Sequence, residues 1–330
     1  MDSTSPALHA LRRFAILIAA LFAGMACAQP FPSKPVRLVV PYPPGAPVDA
    51  LARGFAETLA PLLGQPVLVE TRAGANEIVA ATAVAKAPAD GHTLLLATDA
   101  AFTQNAFLYA KLPYDARRDF VPVSRLVHVN MVLIVRGNLP ERDLRAFVAR
   151  MKTDGHERHY ASAGAGGTTH LAMESLKREG GFELRHVAYK GIAPAMQDLL
   201  GGSVDALFAG ATAAMGHLAS GKVRVLAVSG AKRALALPEV PTFAEAGFPG
   251  TQASFYLGLA APAGTPAALV ERLSVEARKA VLDRTFLAKF VQPFAYDPVA
   301  DTPAEFAAFL ARDAEANAQR IRALGLKLEL

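Results

Sequence analysis

The chain has 330 residues, 52% hydrophobic and 19% charged, enough to bury one large or two medium cores. Its formal net charge of +5 is mild for that length, and it has no basic run of the kind that binds nucleic acid. Cysteine occurs once, at Cys27, so no internal disulfide is possible.

In chain order, "MDSTSPALHALRRFAILIAALFAGMACAQP" reads as a secretory signal. Arg12 and Arg13 form its positive region. Residues 14–23 form an apolar run too short and too early for a membrane span. "ACA" supplies small residues at cleavage spacing and puts the cut after Ala28. A lipoprotein reading, acylated at Cys27, ranks second, because Gly24 stands where a larger aliphatic residue is expected. The twin arginine suits the folded-protein export route, but the following "FAI" fits that signal poorly. The mature chain is expected to be exported, soluble and free of thiols.

Beyond the signal, short apolar strands alternate with helical patterns. "VRLVV" predicts a strand, and Leu51, Phe55, Leu59 and Leu62 predict one face of a helix that Gly64 stops. "PVLVE" is a second strand, residues 75–87 an alanine-rich helix, and "HTLLLATD" a third strand. This β-α-β-α-β order implies a parallel sheet covered on both faces. After the turn-rich "KLPYDARRDFVPV" come the strand "MVLIVR" and a helix over residues 143–152. "HYASA", "LRHVAY", "VDALFAG", "VRVLAVSG" and "SFYLGLAAP" follow as strands, then helices over residues 266–282 and 303–324. About nine strands exceed one comfortable sheet, so two α/β domains are expected. The long stretches "VHVNMVLIV" and "ASFYLGLAA" suit two crossings between them, with the middle third as an inserted domain.

Ligands of open parallel sheets bind beyond the carboxyl ends of the strands. The loops there are "PYPPGAPVD", "ATDAAFTQN", "GAGGTTH", "KGIAP" and "AGATAA". Glycines let backbone N–H groups approach a ligand, and helix starts offer unpaired donors, which together suit an anion such as a carboxylate. Each piece also has an ordinary use. Taken alone, Asp49, Asp99 and Thr168 each read as helix caps before ligand contacts, Tyr189 as a packed strand residue, Lys190 as a solvated charge. Only the convergence of five loops favours a site.

Motifs for catalysis are scarce. "GAGGTT" puts Thr169 where a dinucleotide loop needs its last glycine, and no G-x-S-x-G elbow occurs. "HERH", residues 156–159, lies in a polar turn and reads as surface loop rather than metal site. Ser162 and His170 with a carboxylate could compose a triad, though no spacing argues for it. Binding without chemistry, cofactor or metal is the better reading.

The segments "SKPVRLVVPYPPGAPVDALAR", "LGQPVLVETRAGA", "APADGHTLLLAT", "LPYDARRDFVPVS", "VAYKGIAPAMQDLLGGSVDALF", "RVLAVSGAKRALALPEVPTFAEAGFPG" and "LAAPAGTP" resemble the substrate-binding proteins of tripartite tricarboxylate transporters, the Bug family. The resemblance covers nearly the whole mature chain. It implies a monomeric periplasmic receptor of the type II binding-protein kind, with its ligand between two α/β domains joined by two crossing strands. Domain 1 would comprise residues 29–129 and 256–330, and domain 2 residues 130–255. The ligand would be a dicarboxylate, a tricarboxylate, an amino acid or an aromatic acid. The partners would be integral membrane transporter subunits, or alternatively a sensor. An exported hydrolase using Ser162 and His170 is the least favoured reading.

Carried over by position, the resemblance implies a binding set. Tyr42, Pro43, Pro44, Gly45 and Asp49 come from the first loop, and Thr98 and Asp99 from the third strand. Ser162, Gly164, Gly166, Thr168 and His170 come from the glycine-rich loop. Tyr189, Lys190 and Gly191 follow, and Asp205 completes the set. The chain departs from the family at Ala46, a glycine position, and at Val48, where a small polar residue is common. Thr71 stands for Asn, Glu77 falls where glycine or asparagine is common, and Asp99 replaces an uncharged residue.

Overall fold

The computed structural model describes residues 31–328 apart from 154, 231, 235, 252 and 295. The expected export signal and Cys27 lie outside the described residues. The strands are β1 (Val36–Val40), β2 (Val67–Thr71), β3 (Thr93–Thr98), β4 (Phe120–Arg136), β5 (His159–Ser162), β6 (Arg185–Ala188), β7 (Ala206–Gly210), β8 (Val223–Val228), β9 (Ser254–Pro262) and β10 (Tyr296–Pro298). The longer helices are α1 (Pro47–Leu63), α2 (Ile78–Ala85), α3 (Leu144–Thr153), α4 (Thr168–Gly180), α5 (Ile192–Gly201), α6 (Ala211–Leu218), α7 (Ala267–Val281) and α8 (Pro303–Leu324).

The strands order as β2-β1-β3-β9-β4-β7-β5-β6, with β8 and β10 also on β4. β1 pairs β2 and β3 in parallel, and β5 pairs β6 and β7 in parallel. β4 joins these two α/β domains. As far as Asn130 it pairs antiparallel with β9, and from Met131 it pairs with β7 and β8. The Met131 amide bonds Ala253 O at 3.0 Å, so the second chain passage runs beside the first. "FVPV" and "VHVNMVLIVR" thus form one 17-residue strand.

Strand alternation builds the cores. In β3, Leu94 and Leu96 enter one cluster with Leu51, Phe55 and Leu59, while Leu95 and Ala97 enter another with Phe102, Tyr256 and Phe306. Both faces are covered, so the run is continuously apolar. β4 repeats this beyond the crossing: Met131, Leu133 and Val135 face one cluster, Val132 and Ile134 the other. Each fully buried side chain of this kind contributes about 1.5–3 kcal/mol.

Two expectations need correction. Leu62 is 38% exposed, and Leu63 closes the buried face of α1 instead. The spacing is four throughout (Leu51, Phe55, Leu59, Leu63), so the face follows Leu63 rather than its neighbour. The second helix starts at Ile78, not at residue 75, because Ala75, Asn76 and Glu77 have φ of 46°, 47° and 73°.

Candidate functional site

The first loop is braced from within. Gly45 takes φ 86°, and its amide donates to Asp49 Oδ2 at 3.0 Å. Arg53 Nε donates to the same oxygen at 3.0 Å. Burial opposes ionisation of Asp49, but the bonds from Arg53 and Gly45 prevail and hold its carboxyl below the usual range. Asp49 is not the cap of α1: the helix begins at Pro47 behind Ala46. Pro43 and Pro44 are exposed at the loop's tip.

The third-strand loop is organised around a residue outside the expected set. Glu77, 5% exposed, receives the Tyr42 hydroxyl, the Thr98 hydroxyl at 2.6 Å and the Thr98 amide at 3.0 Å. Burial pushes the Glu77 carboxyl up, against the pull of these bonds. Burial, then the Glu77 charge, pushes the Tyr42 hydroxyl well above its ordinary value. Holding three successive non-glycine residues at positive φ costs about 1–2 kcal/mol each, which the Glu77 bonds and the Asn76–Asn105 pair at 2.8 Å help offset.

Asp99 meets the other domain. Thr168 Oγ1 donates to Asp99 Oδ1 at 3.2 Å, and Gln104 donates to Oδ2. Burial, then the Asp313 carboxylate, drives the Asp99 carboxyl well above the usual range, with Arg320 opposing. Neither Asp99 nor Thr168 caps a helix through its side chain; Thr168 is the first residue of α4, behind Gly167. Asp99 also lines a cavity of about 400 Å3 at the domain crossing, with His128, Ser229, Tyr256, Asp313 and Arg320.

In the glycine-rich loop, the Gly164 amide donates to Ser162 Oγ at 3.2 Å, and the Gly166 amide, at φ 73°, donates to His170 Nδ1 at 2.9 Å. Ser162 is fully buried. Its hydroxyl contacts His186 Nε2 at 2.6 Å and donates to Gly164 O at 3.0 Å. The imidazole beside Ser162 is therefore His186, not His170. The two rings stack with centroids 3.9 Å apart. Burial, then His186, lowers His170 to about 4, and burial lowers His186 as well. His186 was missed because "LRHVAY" carries no motif; alternation alone puts it on one face with Ala188.

Tyr189 and Gly191 complete this side through their amides, which donate to Ser162 O at 3.0 Å and Ala163 O at 3.2 Å. The Tyr189 hydroxyl donates to Asp198 at 2.6 Å, and Lys190 is exposed. Asp205 does not join them. It precedes β7, beside His159 at the start of β5, whereas the site loops follow the strands' carboxyl ends. About four residues of strand, roughly 13 Å, separate it from that edge. Its carboxylate is taken by Arg136, by Arg158 at 3.2 Å and by the His159 amide at 3.0 Å.

Two α/β domains sharing a strand, with proline- and glycine-rich loops from both meeting at strand ends, define a two-domain solute-binding protein. The chain belongs to the tripartite tricarboxylate transporter family receptors, whose family model matches residues 51–326. It is similar to the periplasmic binding protein BugD, at 32% identity and TM-score 0.81, covering 90% of this chain and 100% of that one. Rpa4515 of R. palustris, solved with adipate, matches at 31% identity and TM-score 0.83, over 90% and 100% of the two chains. MatC from Rhodopseudomonas palustris, with bound malate, matches at 31% identity and TM-score 0.79, over 88% and 100%.

Proposed function

We propose that the protein captures a small carboxylate-bearing metabolite by closing its two domains, and delivers it to a tripartite tricarboxylate-type membrane transporter. The observation that carries this reading is the bond from Thr168 to Asp99, which ties the glycine-rich loop of one domain to the third-strand loop of the other. Domain 1 is taken as residues 29–129 and 256–330, domain 2 as residues 130–255, and the mature receptor as a periplasmic monomer. Tyr42, Pro43, Pro44, Gly45, Thr98, Asp99, Gly164, Gly166, Thr168, Tyr189, Lys190 and Gly191 form the cleft wall. Asp49, Ser162 and His170 shape the loops behind it, and Asp205 is left out.

Binding proceeds here without turnover. Ser162 is fully buried, and its hydroxyl is engaged by Gly164 O within its own loop and by His186 Nε2 on the neighbouring strand. Adipate and malate, found in two relatives, are natural first probes. Thermal unfolding of the mature chain against mono-, di- and tricarboxylates, amino acids and aromatic acids tests the reading. A ligand at ~100 times its Kd stabilises by ~2.7 kcal/mol. Small-angle scattering should show a smaller radius of gyration with that ligand. A panel without any stabilising carboxylate would sink the proposal.

A further inference from the structure

In the β2-β1-β3 part of the sheet, the chain turns from β1 outward to β2 and then back across β1 to β3. Such a reversal opens a crevice at the carboxyl ends of the two diverging strands. Tyr42 follows β1 and Thr98 ends β3, so both border that crevice. The donors they bring are already engaged. Glu77, on the loop after β2, takes the Tyr42 hydroxyl, the Thr98 hydroxyl and the Thr98 amide, and the Ala101 amide bonds it too.

This carboxylate is tethered. Asn76 donates to Asn105 Oδ1, and Asn105 donates to Asn76 O, both at 2.8 Å. The loop holds left-handed conformations at Ala75, Asn76 and Glu77 to deliver the side chain. One residue past Thr98, Asp99 adds a second buried carboxyl to the same wall. An anionic group arriving here meets two buried carboxyl groups and finds the Tyr42 and Thr98 donors occupied, an arrangement that discriminates by denying bonds as much as by offering them.

Resting on the receptor reading above, we propose that Glu77 is a specificity-determining residue of the cleft. It occupies the donor set at the β1/β3 crevice, so the ligand carries one carboxylate, bound elsewhere in the cleft, and turns an uncharged or hydrogen-donating end toward Glu77. A linear dicarboxylate is thereby disfavoured against a monocarboxylate of equal length.

The test is calorimetric titration of the mature wild type, Glu77→Gly and Glu77→Gln with three probes of one length: adipate, hexanoate and 6-aminohexanoate. Glycine suits φ 73°, and glutamine keeps the shape without the charge, so one variant covers for the other if folding suffers. Wild type is expected to bind hexanoate or 6-aminohexanoate at least tenfold more tightly than adipate. Glu77→Gly is expected to gain at least tenfold for adipate and to lose preference for the amine, with Glu77→Gln changing in the same direction. Equal adipate affinity in wild type and both variants would overturn the role of Glu77 while leaving the receptor reading intact. Failure of all three proteins to bind any probe would overturn the proposal as well; the wider carboxylate panel then decides the receptor reading separately.

Discussion

Asp205 discriminates between a ligand contact and a scaffold ion pair. It is 7% exposed at its side chain, and Arg136 and Arg158, which donate to it, are 18% and 19% exposed. Asp205→Ala removes an acceptor shared by two guanidinium groups and the His159 amide. Truncating one partner of a buried ion pair costs about 3–5 kcal/mol, because the opposite charge stays desolvated. The partial exposure of both arginines places this case near 3 kcal/mol. At about 1.6 °C per kcal/mol for a mature chain of roughly 300 residues, the melting temperature should fall by roughly 5 °C. Circular dichroism at rising temperature reads this directly. Titration well below the transition, with the tightest carboxylate of the panel, should give an affinity within about twofold of wild type. A shift under about 2 °C together with a tenfold loss of affinity would refute the scaffold assignment and return Asp205 to the cleft.

Two further outcomes follow from buried titrating groups, with opposite signs. His170 falls from 6.5 to about 4, so between those values the unfolded chain binds the extra proton and stability is lost as pH falls. At about 1.4 kcal/mol per pH unit the loss reaches about 3 kcal/mol by pH 4; denaturant midpoints should show it, and His170→Gln, which keeps an acceptor for the Gly166 amide, should flatten it. Asp99 is raised above its ordinary 3.8, so its contribution is fully present below that pH and is lost as pH rises toward the folded value. Asp99→Asn should therefore gain stability over wild type at pH 8 and little at pH 3.5, and a variant equally or less stable at pH 8 would contradict the burial argument.

The alternation of apolar strands with helical patterns was legible because both faces of each central strand are covered. Leu94 to Ala97 read as a continuous apolar run for that reason. The capping box of Thr302 and Glu305 likewise matches the helix expected over residues 303–324. Local pattern could not give the length of β4. Pro122 and a bulge beside it interrupt the sequence signal, yet the ladder with β9 runs on through them. β10 was missed because three residues of Tyr-Asp-Pro carry no period; it exists only through pairing with β4.

In the site, residue types were easier to read than side-chain destinations. The five loops were found from glycines and prolines, which report backbone requirements directly. For Asp205, position along the chain does not say which end of a strand a residue occupies; the β5–β7 register sets it at the amino end of β7. Glu77 was visible only as an unusual residue. Its role depends on Tyr42 and Thr98, 35 and 21 residues away in sequence, being brought together by the β1/β3 crevice. The bonds to this buried carboxylate come from two strand ends, Tyr42 after β1 and Thr98 at the end of β3, which must both be in register with the loop after β2. The left-handed backbone at residues 75–77 adds strain that a glycine at position 77 would reduce. The bonds that Glu77 accepts offset part of that cost, and under the proposal above they also decide which end of a ligand the crevice admits.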